Sequence, residues 1–280
     1  MINNADLLEA VYSKLKDPYE QEYFKFHSHR YRYVLTRILS LNLPPKARIL
    51  DIGCYPLHMF TALKLRGFSL FGISSFHEPI KLPNISVINI EKSQLPYKNN
   101  FFDLILFSEV MEHLTTNPLV YLREIRRVLS PQGILILTTP NAAGLHKLVP
   151  ILLGRSTYFP LADMLATNLN DESIYKRHNR EYTRDELILL LSQTGFGICH
   201  SAYFNAYRSY AFKDAQGNFT RQLARIGTYW LTQGVTHRRD TLYIEAEKNP
   251  RYKLPFIHPE SNHANKKTGK DINTDNGKDR

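Results

Sequence analysis

The sequence predicts an α/β fold built around a doubly wound, mostly parallel sheet. Short apolar runs of strand length recur along the chain, and amphipathic helical patterns separate several of them. Runs that are apolar throughout, rather than alternating with polar residues, are typical of strands buried on both faces of a parallel sheet. The alternation of strands and helices favours a sheet that is covered by helices on both sides.

Helical patterns come before the first predicted strand. Apolar residues between Leu7 and Val11 fall on one face of a short helix. After Pro18, apolar and aromatic residues recur at helical spacing until Pro44 interrupts the pattern. We predict that residues 1–44 form an N-terminal helical cap.

Residues 45–248 contain the runs that we predict to be strands, and they form the main domain. The domain is interrupted at 142–180, where prolines and a glycine break the pattern and we expect an insertion on the acceptor side. Helix signals are clear at Asn117, followed by Pro118, and at Thr183, which precedes Glu186 in a capping-box spacing. The predicted strands are ARILDIG, FSLFGIS, ISVINI, FFDLILFS, GILILTTPN, GICHSAYF and DTLYIEAEK.

Composition narrows the class of protein. The 280 residues are 43% hydrophobic and 22% charged, which is typical of a globular domain with a sizeable core. The two cysteines, Cys54 and Cys199, cannot make a disulfide framework and favour a reducing compartment. The chain shows neither a signal peptide at its start nor an apolar run of membrane-spanning length. We therefore expect a cytoplasmic protein without a membrane span.

The net charge of +10 is spread unevenly. From Lys248 onward the chain has eight Lys/Arg and four Asp/Glu, so the end of the chain accounts for +4. Residues 249–280 are polar and lack periodicity, and we expect a tail without fixed structure. The remaining charge is a weak signal for a nucleic-acid partner and fits an anionic substrate equally well.

Polar residues follow the predicted strands at the edge where an open α/β sheet binds its ligands. Asp51 and Gly53 come after the first strand. The other strand-end candidates are Ser74, Ser75, Glu91, Ser108, Glu109, Glu112, His113, Thr138, Thr139 and Asn141.

Five segments then appear in a characteristic order: ILDIGC, FGIS, NIEKSQLPYKNNFFDLILFSEVMEHL, LSPQGILILTTPN and RHNREYTRDELILLLSQTGF. The chain resembles class I S-adenosylmethionine-dependent methyltransferases of the group whose fourth motif reads EVxEHL. The resemblance covers roughly residues 45–200. It implies a Rossmann-like, seven-stranded sheet with an antiparallel last strand and S-adenosyl-L-methionine as cofactor.

The resemblance also implies roles for individual residues. The loop from Asp51 through Gly53, Cys54 and Tyr55 would meet the methionine part of the cofactor, and Glu91 would approach the adenine amine. Ser108 would lie beside the transferred methyl group. Residues near the end of the second strand would bind the ribose hydroxyls, and the candidates for this contact are Ser74, Ser75 and Glu78.

Three positions depart from the family pattern. Tyr55 and Leu57 stand where relatives usually keep glycines, and Ser74 stands where relatives usually have an acid. The cofactor has no phosphate, so the loop has less need of glycine than a dinucleotide site. We expect weakened cofactor binding rather than none.

His113 and Glu109 are the predicted catalytic residues. Methyl transfer to a hydroxyl needs a base for its proton, and histidine suits neutral pH. A second interpretation places Glu109, Glu112 and His113 on one face of a helical turn, joined by His178, as ligands of a divalent ion. Small-RNA 2′-O-methyltransferases and quinone O-methyltransferases are similar here and use such an ion. We predict that no metal takes part.

The predicted function is O-methylation of a small metabolite or sugar, since no NPPY-like amine motif follows the fourth strand. Two alternatives stay open. One is a non-catalytic relative that keeps the fold as a binding or scaffold protein, and the other is a metal-dependent RNA 2′-O-methyltransferase. Segment 142–180 and the last helix would form the pocket of a small-molecule acceptor. The sequence does not predict the oligomeric state.

Overall fold

A seven-stranded sheet runs through the centre of the protein. The computed structural model describes residues 4–75, 82–157, 177–207 and 219–252. The strands are β1 (Arg48–Ile52), β2 (Ser69–Ser74), β3 (Ile85–Val87), β4 (Phe102–Ser108), β5 (Leu129–Pro140), β6 (Phe196–Phe204) and β7 (Thr241–Lys248). Their order across the sheet is β3-β2-β1-β4-β5-β7-β6.

The strand directions confirm the predicted fold class. Pairs from β3 to β5 are parallel, whereas β7 runs antiparallel to both of its neighbours, β5 and β6. The order reverses at β1, because β2 and β3 lie on one side of it and β4 on the other. That reversal is the switch point at which open α/β sheets bind ligands.

Helices cover both faces of the sheet. They are α1 (Asn4–Tyr12), α2 (Pro18–Ser40), α3 (His58–Leu65), α4 (Pro118–Val128), α5 (Leu145–Leu152), α6 (Arg184–Gln193) and α7 (Phe219–Gly234). Short 3₁₀ turns occupy Met111–His113 and Thr236–Arg238. Asn117 caps α4 through its side chain, and Thr183 and Glu186 form the predicted capping box of α6.

The N-terminal helices are part of the core. One cluster of buried apolar side chains joins α1, α2 and α3 to one face of the sheet, with Leu35 and Ile38 of α2 fully buried in it. A second cluster on the other face joins the sheet to α4 and α6. Because α2 packs directly on the sheet, its cleft-facing side chains are held in fixed positions over the strand ends.

The third strand is shorter than the sequence pattern indicates. The apolar run continues to residue 90, but β3 ends at Val87. The Asn89 side chain accepts the Glu91 backbone N–H at 2.9 Å, and its carbonyl accepts the N–H of Lys92. An asparagine turn of this kind competes with strand pairing and stops the strand.

The ordered body continues past β7. The N–H of Asn249 donates to the carbonyl of Gly195, and the guanidinium of Arg126 lies 5.5 Å from the ring centroid of Tyr252. Four residues beyond the predicted boundary at 248 therefore pack on the domain. The rest of the predicted tail, 253–280, lies outside the described residues. Within the described ranges, no helix is both long and apolar enough to cross a membrane.

Candidate active site

The carboxyl ends of β1, β4 and β5 meet beneath α2 and form a polar cleft. Asp51 lies near the end of β1, Ser108 closes β4, and Thr138 lies on the neighbouring β5. Thr138 is paired with Ser108 across the parallel ladder. The switch-point geometry thus brings together side chains that are far apart in sequence.

Gly53 begins the loop after β1 and has a conformational reason to be glycine. Its φ is +78°, a region that other residues rarely adopt. A Cβ added there would lie 2.3 Å from Cγ2 of Val110. The backbone N–H groups of Gly53 and Cys54 both donate to the carbonyl of Ile73 in β2. The loop is therefore fixed to the sheet, and Gly53 stays exposed to the cleft.

The next part of the loop contains Tyr55 and Leu57, the two positions where relatives usually keep glycine. Tyr55 is 42% exposed. Leu57 has φ of +69° and donates its N–H to the carbonyl of Cys54. The left-handed conformation costs a residue with a Cβ about 1–2 kcal/mol. The backbone at Leu57 therefore has the shape that a glycine would favour, although a leucine occupies it.

Asp51 is buried, and burial raises the pKa of its carboxyl to about 7. Burial is the main reason that the pKa of Tyr31 on α2 and of Cys54 is raised. The charge of Asp51 raises the pKa of both groups further. A buried carboxyl of this kind is stabilised in its ionised form by a cation. It suits a ligand that carries positive charge, as S-adenosylmethionine does.

Glu109 is the centre of a buried hydrogen-bond network. Its Oε2 lies 3.1 Å from Nη1 of Arg30 and accepts the Tyr207 hydroxyl at 3.2 Å. Its Oε1 accepts the Thr138 hydroxyl at 2.9 Å. Since Thr138 donates to Glu109, the hydroxyl of Ser108, 2.7 Å from that of Thr138, acts as the donor between the two. Four chain segments are joined through one carboxylate.

This network includes a strained backbone and a buried charge. Glu109 has φ of +55°, which costs a non-glycine residue about 1–2 kcal/mol. The side chains of Arg30 and Glu109 are only 7% and 10% exposed. Burial by itself disfavours the Arg30 cation, but Glu109, with smaller contributions from neighbouring tyrosines, holds the pKa of Arg30 above its ordinary value. Both oxygens of Glu109 are engaged, so the geometry supports a positioning role.

Glu91 anchors the loop that follows the 3₁₀ turn. Its Oε1 accepts the backbone N–H groups of Thr115 at 2.6 Å and of Thr116 at 2.5 Å. The Thr115 hydroxyl lies 3.3 Å from both carboxylate oxygens. These bonds give Glu91 a structural function. Its contact with adenine stays a prediction.

The candidates for the ribose lie at the end of β2. Ser74 is 1% exposed, and its carbonyl accepts the N–H of Ile88. Ser75 is exposed next to it. Glu78 lies outside the described residues. A ribose contact by any of the three stays a prediction.

His113 lies in the 3₁₀ turn after β4, close to Glu112 and His178. Its Nδ1 lies 3.1 Å from the carbonyl of Arg177, which can only accept, so Nδ1 carries the proton and Nε2 keeps a lone pair. Its ring centroid is 4.9 Å from that of His178. Burial first, and then His178, lowers the pKa of His113. The imidazole is therefore neutral at pH 7 and able to accept a proton at Nε2.

Glu112 is fully buried beneath His113. Its Oε2 accepts the Thr139 hydroxyl at 2.9 Å. Its Oε1 accepts no hydrogen bond from the described residues and lies 3.8 Å from Nε2 of His113. Burial, and then the charge of Glu109, raises the pKa of Glu112 well above its ordinary value.

We expected Glu109, Glu112 and His113 to share one face of a helical turn, and this expectation is wrong for Glu109. The positive φ places Glu109 outside the turn, where its carboxylate bonds to Thr138 instead. Ligand atoms of Glu112, His113 and His178 do come together, all within 4.8 Å of one another. Among the described residues, the cluster therefore includes His178 and does not include Glu109.

A cavity of about 600 Å³ opens beside this cluster. Tyr207 and His178 line it, and these two residues also contact Glu109 and His113. Its walls come from Phe26 of α2, from α5, from the strand ends near Asp240 and from one face of α7. Described residues of the 142–180 segment and of the last helix line it, and its use as an acceptor pocket stays a prediction.

Comparison with known proteins identifies the family. A family model described as a methyltransferase domain matches residues 23–201, which is more than half of the chain. The chain belongs to the methyltransferase-domain family. Membership implies S-adenosyl-L-methionine as the cofactor, in agreement with the acidic Asp51 at the end of β1 and with the Gly53 loop.

Individual relatives are distant. A probable S-adenosylmethionine-dependent methyltransferase of Mycobacterium tuberculosis is 29% identical over 120 residues, which is 43% of this chain and 36% of that protein. The match therefore spans only about a third of this curated relative.

Solved structures of similar fold have lower identity. A methyltransferase from Archaeoglobus fulgidus has a TM-score of 0.54 at 15% identity, covering 83% of this chain and 100% of that one. A chain from the Haloferax volcanii complex of the Trm112 methyltransferase activator and the putative methyltransferase has a TM-score of 0.58 at 12% identity. It covers 90% of this chain and 100% of that one. At these identities the likeness shows the fold alone.

Two residues of this candidate site were not predicted from the sequence. Arg30 lies between the buried residues His27 and Tyr31 of α2, and a cation in the buried stripe of a helix was its only signal. Tyr207 follows β6 without a motif. The backbone N–H groups of Ala206 and Tyr207 donate to the carboxylate of Asp240, which holds this segment in place.

The loop of the methyltransferase fold gives a first prediction, at Leu57. We expect Leu57→Gly to be more stable than Leu57→Ala by about 0.5–1 kcal/mol, because only glycine relieves the positive φ. The alanine variant is the matched control, since both variants lose the half-buried leucine side chain equally. Denaturant unfolding of the two proteins measures the difference. An alanine variant that equals or exceeds the glycine variant would contradict strain at this position.

Proposed function

We propose that the protein transfers a methyl group from S-adenosylmethionine to a hydroxyl oxygen of a small metabolite or sugar bound in the cavity beside His113. The observation that carries this proposal is the tautomer of His113, whose Nε2 keeps its lone pair. Its position is fixed by the Arg177 carbonyl and adjoins His178 at the cavity wall. Acceptors that lack a titratable proton would not need such a base.

The residues at the end of β1 would hold the cofactor. S-adenosylmethionine supplies an electrophilic methyl group on a positively charged sulfur when it is bound. The Gly53 loop would contribute to this site, because Gly53 is exposed and the bonds from the N–H groups of Gly53 and Cys54 to Ile73 fix the loop at the end of β1. Asp51 provides a carboxylate that favours a cationic partner.

The chain's own contribution to the reaction is positioning and proton removal. The cofactor would supply the methyl group, giving up its S–CH₃ bond as the O–CH₃ bond forms, and Nε2 of His113 would take the acceptor proton. Glu109 does not take the proton in this scheme. It holds Tyr207, a wall of the acceptor cavity, in a fixed place relative to α2 and β5. Fixed orientation of donor and acceptor is the main source of rate in such displacements.

A second candidate function follows from the orphaned oxygen of Glu112. Glu112 Oε1, His113 and His178 would suit a divalent cation. Nδ1 of His113 already meets the Arg177 carbonyl, and Nδ1 of His178 lies 2.8 Å from Oε1 of Glu181. Metal-bound histidines usually have such partners on their second nitrogen. A bound cation would activate the acceptor hydroxyl directly, as the RNA 2′-O-methyltransferase alternative requires.

The cofactor site leads to a prediction for calorimetry. We expect one S-adenosylmethionine site per chain, with an affinity that rises roughly eightfold between pH 6 and pH 7.5 as Asp51, whose pKa is about 7, becomes ionised. The sign follows from charge, because the cation binds the carboxylate better than the acid. Asp51→Asn should bind more weakly and lose this pH dependence.

Asp103→Asn is the matched control for that experiment. Asp103 lies near the start of β4, at the opposite edge of the sheet, where it pairs with Arg48. Its loss should leave cofactor affinity unchanged. No heat of binding at millimolar cofactor would overturn the proposed function and favour the scaffold alternative.

The two ways of activating the acceptor are separated by chelation. With His113 as base, production of S-adenosylhomocysteine from a panel of hydroxyl acceptors should be unaffected by EDTA. Activity should rise with pH through a value below the ordinary pKa of histidine, since the pKa of His113 is lowered. Complete loss of turnover in EDTA with unchanged cofactor affinity, and recovery on adding Mg²⁺ or Mn²⁺, would instead establish the metal site.

A further inference from the structure

A second cavity, of about 600 Å³, lies along α4. One wall is the face of α4 on which Val120, Arg123 and Arg127 recur at helical spacing. Residues 90–94 after β3 and Lys248 at the end of β7 form other walls. Among the described residues, it shares no lining residue with the cavity beside His113 or with the loop after β1. We call it the α4 cavity.

The lining of the α4 cavity has an excess of positive charge. Its described acids are Glu91 and Glu124. Its described cations are Lys92, Arg123, Arg126, Arg127 and Lys248. A concave surface with one dominant sign of charge concentrates ions of the opposite sign.

Both acids are engaged by other groups. Glu91 accepts two backbone N–H groups of the loop after the 3₁₀ turn. Oε1 of Glu124 accepts the Leu95 N–H at 2.7 Å, and Nη2 and Nε of Arg127 donate to its two carboxylate oxygens at 2.6 and 2.8 Å. Arg127 and Glu124 therefore neutralise each other, and the other cations are left without an acid of the lining as a partner.

Three of these cations, Arg123, Arg126 and Lys248, are half-buried at the cavity. Nε of Arg126 donates to the carbonyl of Gly195 at 3.1 Å, and Nζ of Lys248 donates to the side-chain oxygen of Asn100. Arg123 makes no hydrogen bond or ion pair with the described residues, and its Nε is buried without an acceptor. Burial, and then the charge of Arg126, lowers the pKa of Lys248 to about 8. Like charges therefore lie close together here.

Such a cluster is unfavourable in the protein alone. Arg123 repels Arg126 and Arg127, which lie three and four residues further along α4, and like charges at this spacing destabilise a helix. A buried N–H without an acceptor adds a further cost. A bound anion would offset the repulsion and would supply acceptors to the guanidinium of Arg123.

We propose that the α4 cavity binds a small phosphate-bearing molecule through Arg123, Arg126 and Lys248. Guanidinium groups present paired donors that match two oxygens of a phosphate, a geometry that a halide ion cannot use. A volume of about 600 Å³ is typical of small-molecule sites. The cations line one concave site rather than an extended face, which favours a compact ligand over a nucleic-acid strand. The site does not rest on the proposed function, because no residue of the acceptor cavity takes part in it.

Inorganic pyrophosphate is the probe for this site. Calorimetry on the full-length protein, in a buffer of constant ionic strength, should show one pyrophosphate per chain. Arg123→Gln should weaken the affinity roughly tenfold, because one charge-assisted contact to a phosphate oxygen is lost. Lys248→Gln should weaken it as well, and neither variant should change the affinity for S-adenosylmethionine. Since Arg123 has no partner among the described residues, its variant should keep the unfolding temperature that the original protein has without pyrophosphate.

Arg32→Gln is the matched control. Arg32 is exposed on α2 and lines neither cavity, and its replacement removes the same charge from the protein. This variant should bind pyrophosphate like the original protein. Equal weakening by Arg32→Gln and Arg123→Gln would mean that pyrophosphate responds only to net charge, which would overturn the proposal.

Two further results would also overturn it. No binding of pyrophosphate at millimolar concentration would mean that the cluster does not hold a phosphate group. Binding of single-stranded RNA that Arg123→Gln weakens, and with which pyrophosphate does not compete, would identify a nucleic-acid surface instead. Binding of S-adenosylmethionine is measured separately, so either result leaves the proposed function standing.

Discussion

The buried ion pair between Arg30 and Glu109 is the interaction on which the site depends. Removing two charges from water is costly, and the cost is offset when they meet each other in good geometry and make further hydrogen bonds. Here the carboxylate of Glu109 meets Arg30 of α2 and also accepts bonds from Thr138 of β5 and from Tyr207 beyond β6. The pair therefore fixes the N-terminal helices, the sheet and the Tyr207 wall of the cavity relative to one another.

This constraint explains why the N-terminal helices belong to the site. The apolar side of α2 anchors it to the sheet, and Arg30 then reaches over the strand ends. Glu109 adopts a positive φ to meet it, which moves its side chain away from Glu112 and His113. Strain at Glu109 and a second left-handed residue at Leu57 occur in the loops after β4 and β1. Such strain persists only where the surrounding structure holds it in place, and it is concentrated at functional sites.

The sequence predicted what depends on local patterns. Apolar runs located the seven strands, and the side chains at Asn117 and Thr183 located helix starts, because these signals act over a few residues. The strand-end rule placed Asp51 and Glu109 in one cleft. Pairing between Arg30 and Glu109 could not be predicted, since it joins positions far apart in sequence through burial. The loop that Glu91 anchors, and the entry of His178 beside His113, likewise depend on tertiary contacts.

A double-mutant cycle on the central pair tests this account most directly. The free energy of unfolding and the affinity for S-adenosylmethionine would be measured for Arg30→Met, Glu109→Gln and the two combined. We expect Arg30→Met alone to cost about 3–5 kcal/mol, because it leaves a buried carboxylate without its cation, and the double variant to be more stable than the two single losses added together. Cofactor affinity should fall in the single variants as α2 shifts over the cleft. If the two single-variant losses of unfolding free energy sum to the double-variant loss within about 0.5 kcal/mol, and the cofactor affinity is unchanged, the site is not held together by this pair.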